Sequence, residues 1–234
     1  MLDTLRTLTL GATAGVLFAA VLVSLPIRPG ARLALGGGIG AWIALAVEVT
    51  AAGAVTASPL VLLVLFILPL LAAGLAATSA GGRAAMMAIP APLIIALNAM
   101  RAVGVLMLIA AAAGSMSGPF PYFAGIGDVI TGIFALPVAR LASRNPRDIR
   151  VLEWNIFGGL DLIVAVSLGV ISANGSPLQL IHAGAGSAEI TTLPWALIPL
   201  VLVPTFLIGH ALVFAHLRAA AAAGNVSQTR WVEA

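Results

Sequence analysis

Seven stretches of about twenty apolar residues follow one another along the chain and leave it few ways to fold. They run over residues 5–27, 33–55, 59–77, 88–113, 122–142, 151–173 and 194–217. Wound as an α-helix at ~1.5 Å per residue, each is long enough to cross the ~30 Å hydrocarbon layer of a bilayer. A helix also pairs its own backbone groups, which a lipid environment demands. The sequence therefore predicts an all-α polytopic membrane protein: a single seven-helix transmembrane bundle over residues 1–234, with 219–234 as a short cytoplasmic tail. The first run lacks the charged start of a cleavable signal peptide and is longer than one, so it reads as a retained helix.

The arginines orient the bundle. With seven spans, Arg28, Arg32, Arg83, Arg140, Arg144, Arg147, Arg150, Arg218 and Arg230 fall on one side of the membrane, and Arg6 alone on the other. Positive residues collect on the cytoplasmic side, so the N-terminus is expected outside and the C-terminus inside. The remaining arginine, Arg101, lies within a span.

Composition removes several chemistries. Only 8% of the residues are charged against 61% hydrophobic, whereas soluble domains carry about 25% charged residues. The chain has no cysteine, hence no disulfide, thiol nucleophile or iron–sulfur site. It has no lysine either, which excludes a Schiff-base cofactor and a P-loop lysine. The net charge of +3 resides in loop arginines, so nucleic acid is not an expected partner. Three scattered histidines do not make a zinc site. No cofactor and no metal are expected; the expected surroundings are the lipid bilayer, with a homo-oligomer left open.

Ionisable groups inside spans are costly and mark functional positions. Glu48, Arg101, Asp128, Asp161 and His210 are such groups, and Asn98 and Asn155 lie on the same helices. Counting ~1.5 Å per residue from the span ends puts Arg101 and Asp161 about 15 Å deep, but Asp128 only about 9 Å and Glu48 about 10 Å from the outer edge. His210 falls about 10 Å from the cytoplasmic edge by the same count. Depth therefore pairs Arg101 with Asp161 and leaves Asp128 and Glu48 to bind a proton or cation. Asn98 shares a face with Arg101. Gly125, Asp128, Thr131, Gly132, Ala135 and Ala139 form one small-residue stripe, as do Trp154, Gly158, Asp161, Ala165 and Gly169; such stripes pack against other helices.

Other features concern the scaffold. GxxxG spacings at Gly11/Gly15 and Gly36/Gly40 predict close helix packing. The third span has no polar side chain and should face lipid. Residues 78–87 read as a small flexible loop, 114–121 as a tight outer turn and 174–193 as a long polar outer loop. Pro194, Pro199 and Pro204 should kink the last span and free backbone carbonyls. For His210 a bond to such a carbonyl is one expectation. Trp231 is expected near the interface.

The segments FAGIGDVITG, WNIFGGLDL and IPLVLVPTFLIGH, spread between Arg101 and His210, resemble a group of bacterial seven-helix inner-membrane proteins of uncharacterised activity. The resemblance implies an inner-membrane location and no particular reaction. Gly125-Ile126-Gly127-Asp128 also resembles the motif of the GxGD aspartyl proteases, with Asp161 as the second carboxylate. Here, however, the motif aspartate precedes its partner, and no PAL tripeptide is present; IPAPL at 89–93 is a poor substitute. The residues favour a polar site for proton-linked translocation or binding of a small solute. The alternatives are a membrane enzyme, protease or lipid-modifying, and a haem- or quinone-binding protein with His210 as a single axial ligand.

Overall fold

The computed structural model describes the backbone of residues 2–232 and the side chains of residues 6–222, and every regular element in that range is helical. The long helices are α1 (Leu2–Ser24), α2 (Pro29–Ala51), α4 (Pro59–Thr78), α8 (Pro119–Arg144), α9 (Ile149–Ile171) and α10 (Val203–Val232). Short ones are α3 (Ala54–Ala57), α5 (Ala80–Met87), α6 (Ala91–Leu97) and α7 (Val105–Ala112). Among the described residues seven helical segments are long and apolar enough to cross a membrane, the fourth being Ala91–Ala112 and the last Ile198–Ala222. The fold is thus a seven-helix, polytopic, all-α bundle.

Local chemistry sets the ends. Pro29, Pro59 and Pro119 open their helices, where a missing N–H costs nothing and the fixed φ suits the first turn. Thr13 and Thr50 bond the carbonyl one turn back, at Thr9 (2.8 Å) and Ala46 (2.6 Å), so these two hydroxyls sit in apolar surroundings without a loose donor.

Helix α8 is the hub: it packs against α6, the segment 98–104, α7 and α9. Its small residues allow this. A Cβ added at Gly132 would lie 2.6 Å from the Ala102 amide nitrogen, so only glycine lets these two backbones approach. Helix α4 is the most exposed span, with Leu65 its one buried residue, as expected of a lipid-facing helix.

Several expectations change. The fourth span is not one α-helix: a 3₁₀ segment, Asn98–Gly104, separates α6 from α7. Residues 80–87 form a helix rather than a loop, because Ser79 accepts from the Gly82 amide (2.9 Å) and Arg83 caps the Ala77 and Thr78 carbonyls of α4 at 2.9 Å each. The prolines do not kink the middle of the last span. Pro194 precedes it, Pro199 lies in a π-helical turn, Ile198–Leu202, and Pro204 lies in the first turn of α10. Pro204 has no N–H for the Leu200 carbonyl, and the Trp42 indole donates to it instead (3.2 Å), tying α2 to the π turn that leads into α10. The GxxxG faces are largely unpacked, since a Cβ at Gly11, Gly15 or Gly40 would meet nothing within 4 Å. The side chain of Trp231 lies outside the described residues.

Candidate functional site: one guanidinium between two carboxylates

Arg101 is 1% exposed, at the centre of the bundle. The 3₁₀ segment carries it, α8 brings Asp128, α9 brings Asp161, Gly158 and Asn155, and α10 brings His210. Its Nε donates to Asp128 Oδ1 at 2.7 Å, and Nη2 donates to Asp161 Oδ2. Nη1 donates to the Gly158 carbonyl (3.0 Å) and meets His210 Nε2 (3.2 Å). Four of the five guanidinium N–H groups are thereby engaged.

The His210 end of this network follows from donor and acceptor rules. A guanidinium has no acceptor, so the nitrogen facing it carries a lone pair. The proton of a neutral His210 is then on Nδ1, which donates to Asn155 Oδ1 at 2.8 Å. The amide of Asn155 is fixed in turn, because its Nδ2 donates to the His210 carbonyl at 3.1 Å. Trp154 braces the ring at 5.4 Å between centroids and donates its indole N–H to the Thr131 carbonyl (3.1 Å). The phenyl ring of Phe206 lies 5.8 Å from Arg101 Cζ.

Glycines make room for the charges. A Cβ at Gly158 would stand 2.6 Å from His210 Cε1, and one at Gly127 would collide with the Asp161 carboxylate. The Asp128 and Asp161 side chains keep 16% and 9% exposure while that of Arg101 has none. A cavity of about 20 Å³ lies against Arg101, Asp128, Gly104, Leu202 and Phe206. That is room for one water, which needs ~10–15 Å³.

The expected pairing of Arg101 with Asp161 is present, but the isolation of Asp128 is not. Helix α8 begins at Pro119 rather than Tyr122, so nine residues at ~1.5 Å carry Asp128 about 13.5 Å deep. Ten residues from the end of α9 put Asp161 about 15 Å deep, so the two carboxylates are nearly level. His210 binds Asn155 rather than a carbonyl freed by proline.

Glu48 stands apart, exposed on α2, and no hydrogen bond or ion pair joins it to the site. Asn98 is buried, but its amide donates to Ile94 (3.0 Å) and its Oδ1 has no partner; it does not touch the network. His182 is exposed in the loop between α9 and the last span, and His216 is bonded to the Ile89 carbonyl (3.0 Å). The Gly158 carbonyl was not foreseen from the sequence; Gly158 within the stripe around Asp161 was the available signal. Among the described residues no group of three His, Asp or Glu side chains is arranged to hold a metal ion.

Fold and site together define a polytopic helical membrane protein with a buried arginine–carboxylate centre. Residues 58–218 match the family model of a domain of unknown function (DUF8737), and the chain belongs to that family. The matched region begins at α4 and includes every residue of the centre, but neither α1 nor α2. No curated protein and no solved structure matches the chain.

Proposed function

We propose that Asp128 and Asp161 take up and release one proton against the fixed charge of Arg101, and that this exchange drives binding or translocation of a small solute or ion across a bacterial inner membrane. The supporting observation is the charge balance. One guanidinium faces two carboxylates, while His210 and Asn155 contribute no charge. With both acids ionised the centre holds an excess negative charge in a low-dielectric setting; one proton cancels it. The 3₁₀ segment is compatible with a moving part, since such stretches within a helix often mark hinges. The cavity of about 20 Å³ beside Arg101 and Asp128 has room for one water, the size of group that could carry the proton.

The test is proton movement in proteoliposomes with an internal pH dye, after an outside acid pulse and with a panel of small organic anions and cations added in turn. Solute-dependent proton uptake should be lost in Asp128→Asn and Asp161→Asn. Uptake unchanged in both variants would refute the reading. A GxGD-type protease is the second reading, favoured by the way Gly127 admits the Asp161 carboxylate. A water-activating dyad shares one proton between its two acids, and a guanidinium bonded to both opposes that arrangement. Cleavage of transmembrane peptides, lost equally in the same two variants, would favour the protease.

A further inference from the structure

We propose that the groove between the ends of α8 and α9 next to the 145–148 turn is a binding site for an anionic phospholipid. The groove measures about 620 Å³, within the ~300–1,000 Å³ range of small-molecule sites. Its walls are two helical stripes: Ile130, Phe134, Pro137 and Leu141 on α8, and Trp154 and Phe157 on α9. Arg140, Arg144, Arg150 and Glu153 stand at its mouth. An apolar channel ending in arginines suits an acyl chain with a phosphate at its head.

Charge selects the headgroup. Arg150 is held by Asp148 through Nη2 at 2.9 Å and through Nε at 2.9 Å, and Glu153 lies three residues further along the same helix. Arg140 and Arg144 are exposed, one helical turn apart, and neither has an acidic partner among the described residues. They retain the excess positive charge, and Arg side chains at this spacing can fork onto one phosphodiester. A zwitterionic lipid brings its own cation and gains less. Basic pockets between spans on the cytoplasmic side attract acidic headgroups for the same reason. The floor of the groove is Trp154, whose indole also braces His210.

The experiment uses that indole. Phospholipids brominated on the acyl chain quench tryptophan on contact. Phosphatidylglycerol and phosphatidylcholine so labelled are compared in nanodiscs, taking the Trp154 signal as the difference between the chain and its Trp154→Phe variant. About thirtyfold preference for phosphatidylglycerol is expected, at ~1 kcal/mol for each of two arginines at the surface. The preference should vanish in Arg140→Gln/Arg144→Gln and persist in Arg147→Gln, an exposed neighbour outside the groove. Native mass spectrometry of retained lipid gives the same comparison without tryptophan. Equal binding of the two lipids, or equal loss in Arg147→Gln, would overturn the site in favour of nonspecific surface charge.

Discussion

Arg101 Nη1 stands 3.2 Å from His210 Nε2, and this one contact fixes the protonation pattern of the buried histidine. Nitrogen-15 spectra of His210 in detergent should show a bare Nε2 and a protonated Nδ1. The reversed tautomer would mean that the arginine does not donate there. Asn155→Leu removes the acceptor of the Nδ1 proton and the donor to the His210 carbonyl, so it should cost about 1–3 kcal/mol in unfolding.

Arg101→Leu strands two carboxylates and should destabilise the protein by about 3–5 kcal/mol. Because the guanidinium bonds both acids, adding Asp161→Leu should restore only part of the loss, and adding Asp128→Leu as well should restore more. Thermal unfolding in detergent reads the series. Simple addition of the three losses would mean that the groups do not interact.

The glycines divide into two sets that a single methyl group tells apart. Gly158→Ala presses on His210 Cε1 and on Thr131 Cγ2 (2.9 Å) and should cost about 1–3 kcal/mol. Gly15→Ala meets nothing and should be neutral, or stabilising by up to ~1 kcal/mol through helix propensity. Equal effects at the two positions would contradict the packing.

Asp148 caps α9, and the hydrogen bonds from the Arg150 side chain and amide hold its carboxyl down at about 2. A depressed carboxylate stabilises the fold above its ordinary pKa of ~3.9 and ceases to do so as pH falls through the folded value. The gap in unfolding temperature between the protein and Asp148→Ala should therefore be flat above about pH 4 and close towards pH 2.

The arginine distribution makes a topological prediction. A reporter fused at the C-terminal end of α10 should be active only as its cytoplasmic form, and one inserted near Gly184 only as its periplasmic form. The opposite pattern would reverse the orientation, and with it the leaflet that supplies the phospholipid.

What the sequence made legible depended on scale. Span number follows from apolar length, and a membrane rewards length so strongly that the seven runs could be counted directly. The site needed finer registration. Tyr122 looked like the start of the fifth span, but Pro119 opens α8, and that one turn changes the expected depth of Asp128 by about 4.5 Å. Glu48 reads as intramembrane by position, yet which side of α2 it occupies depends on how α1 and α2 meet the bundle. Those helices are mostly exposed, so spacing alone could not decide it. The 3₁₀ segment was hidden because Asn98–Gly104 differs little in composition from an α-helix, and its geometry answers to α8 packed against it.

The order of the charges along the chain has a consequence for biosynthesis. Arg101 leaves the ribosome 27 residues before Asp128 and 60 before Asp161, with His210 a further 49 behind. At ~5–20 residues per second, the arginine waits roughly 3–12 s for its second acid. Through that interval its span carries a lone cation whose insertion penalty is about 2.5–3.5 kcal/mol. The fourth span should therefore linger beside the translocon until the α8–α9 hairpin arrives, making release into lipid a checkpoint on synthesis of the chain's second half.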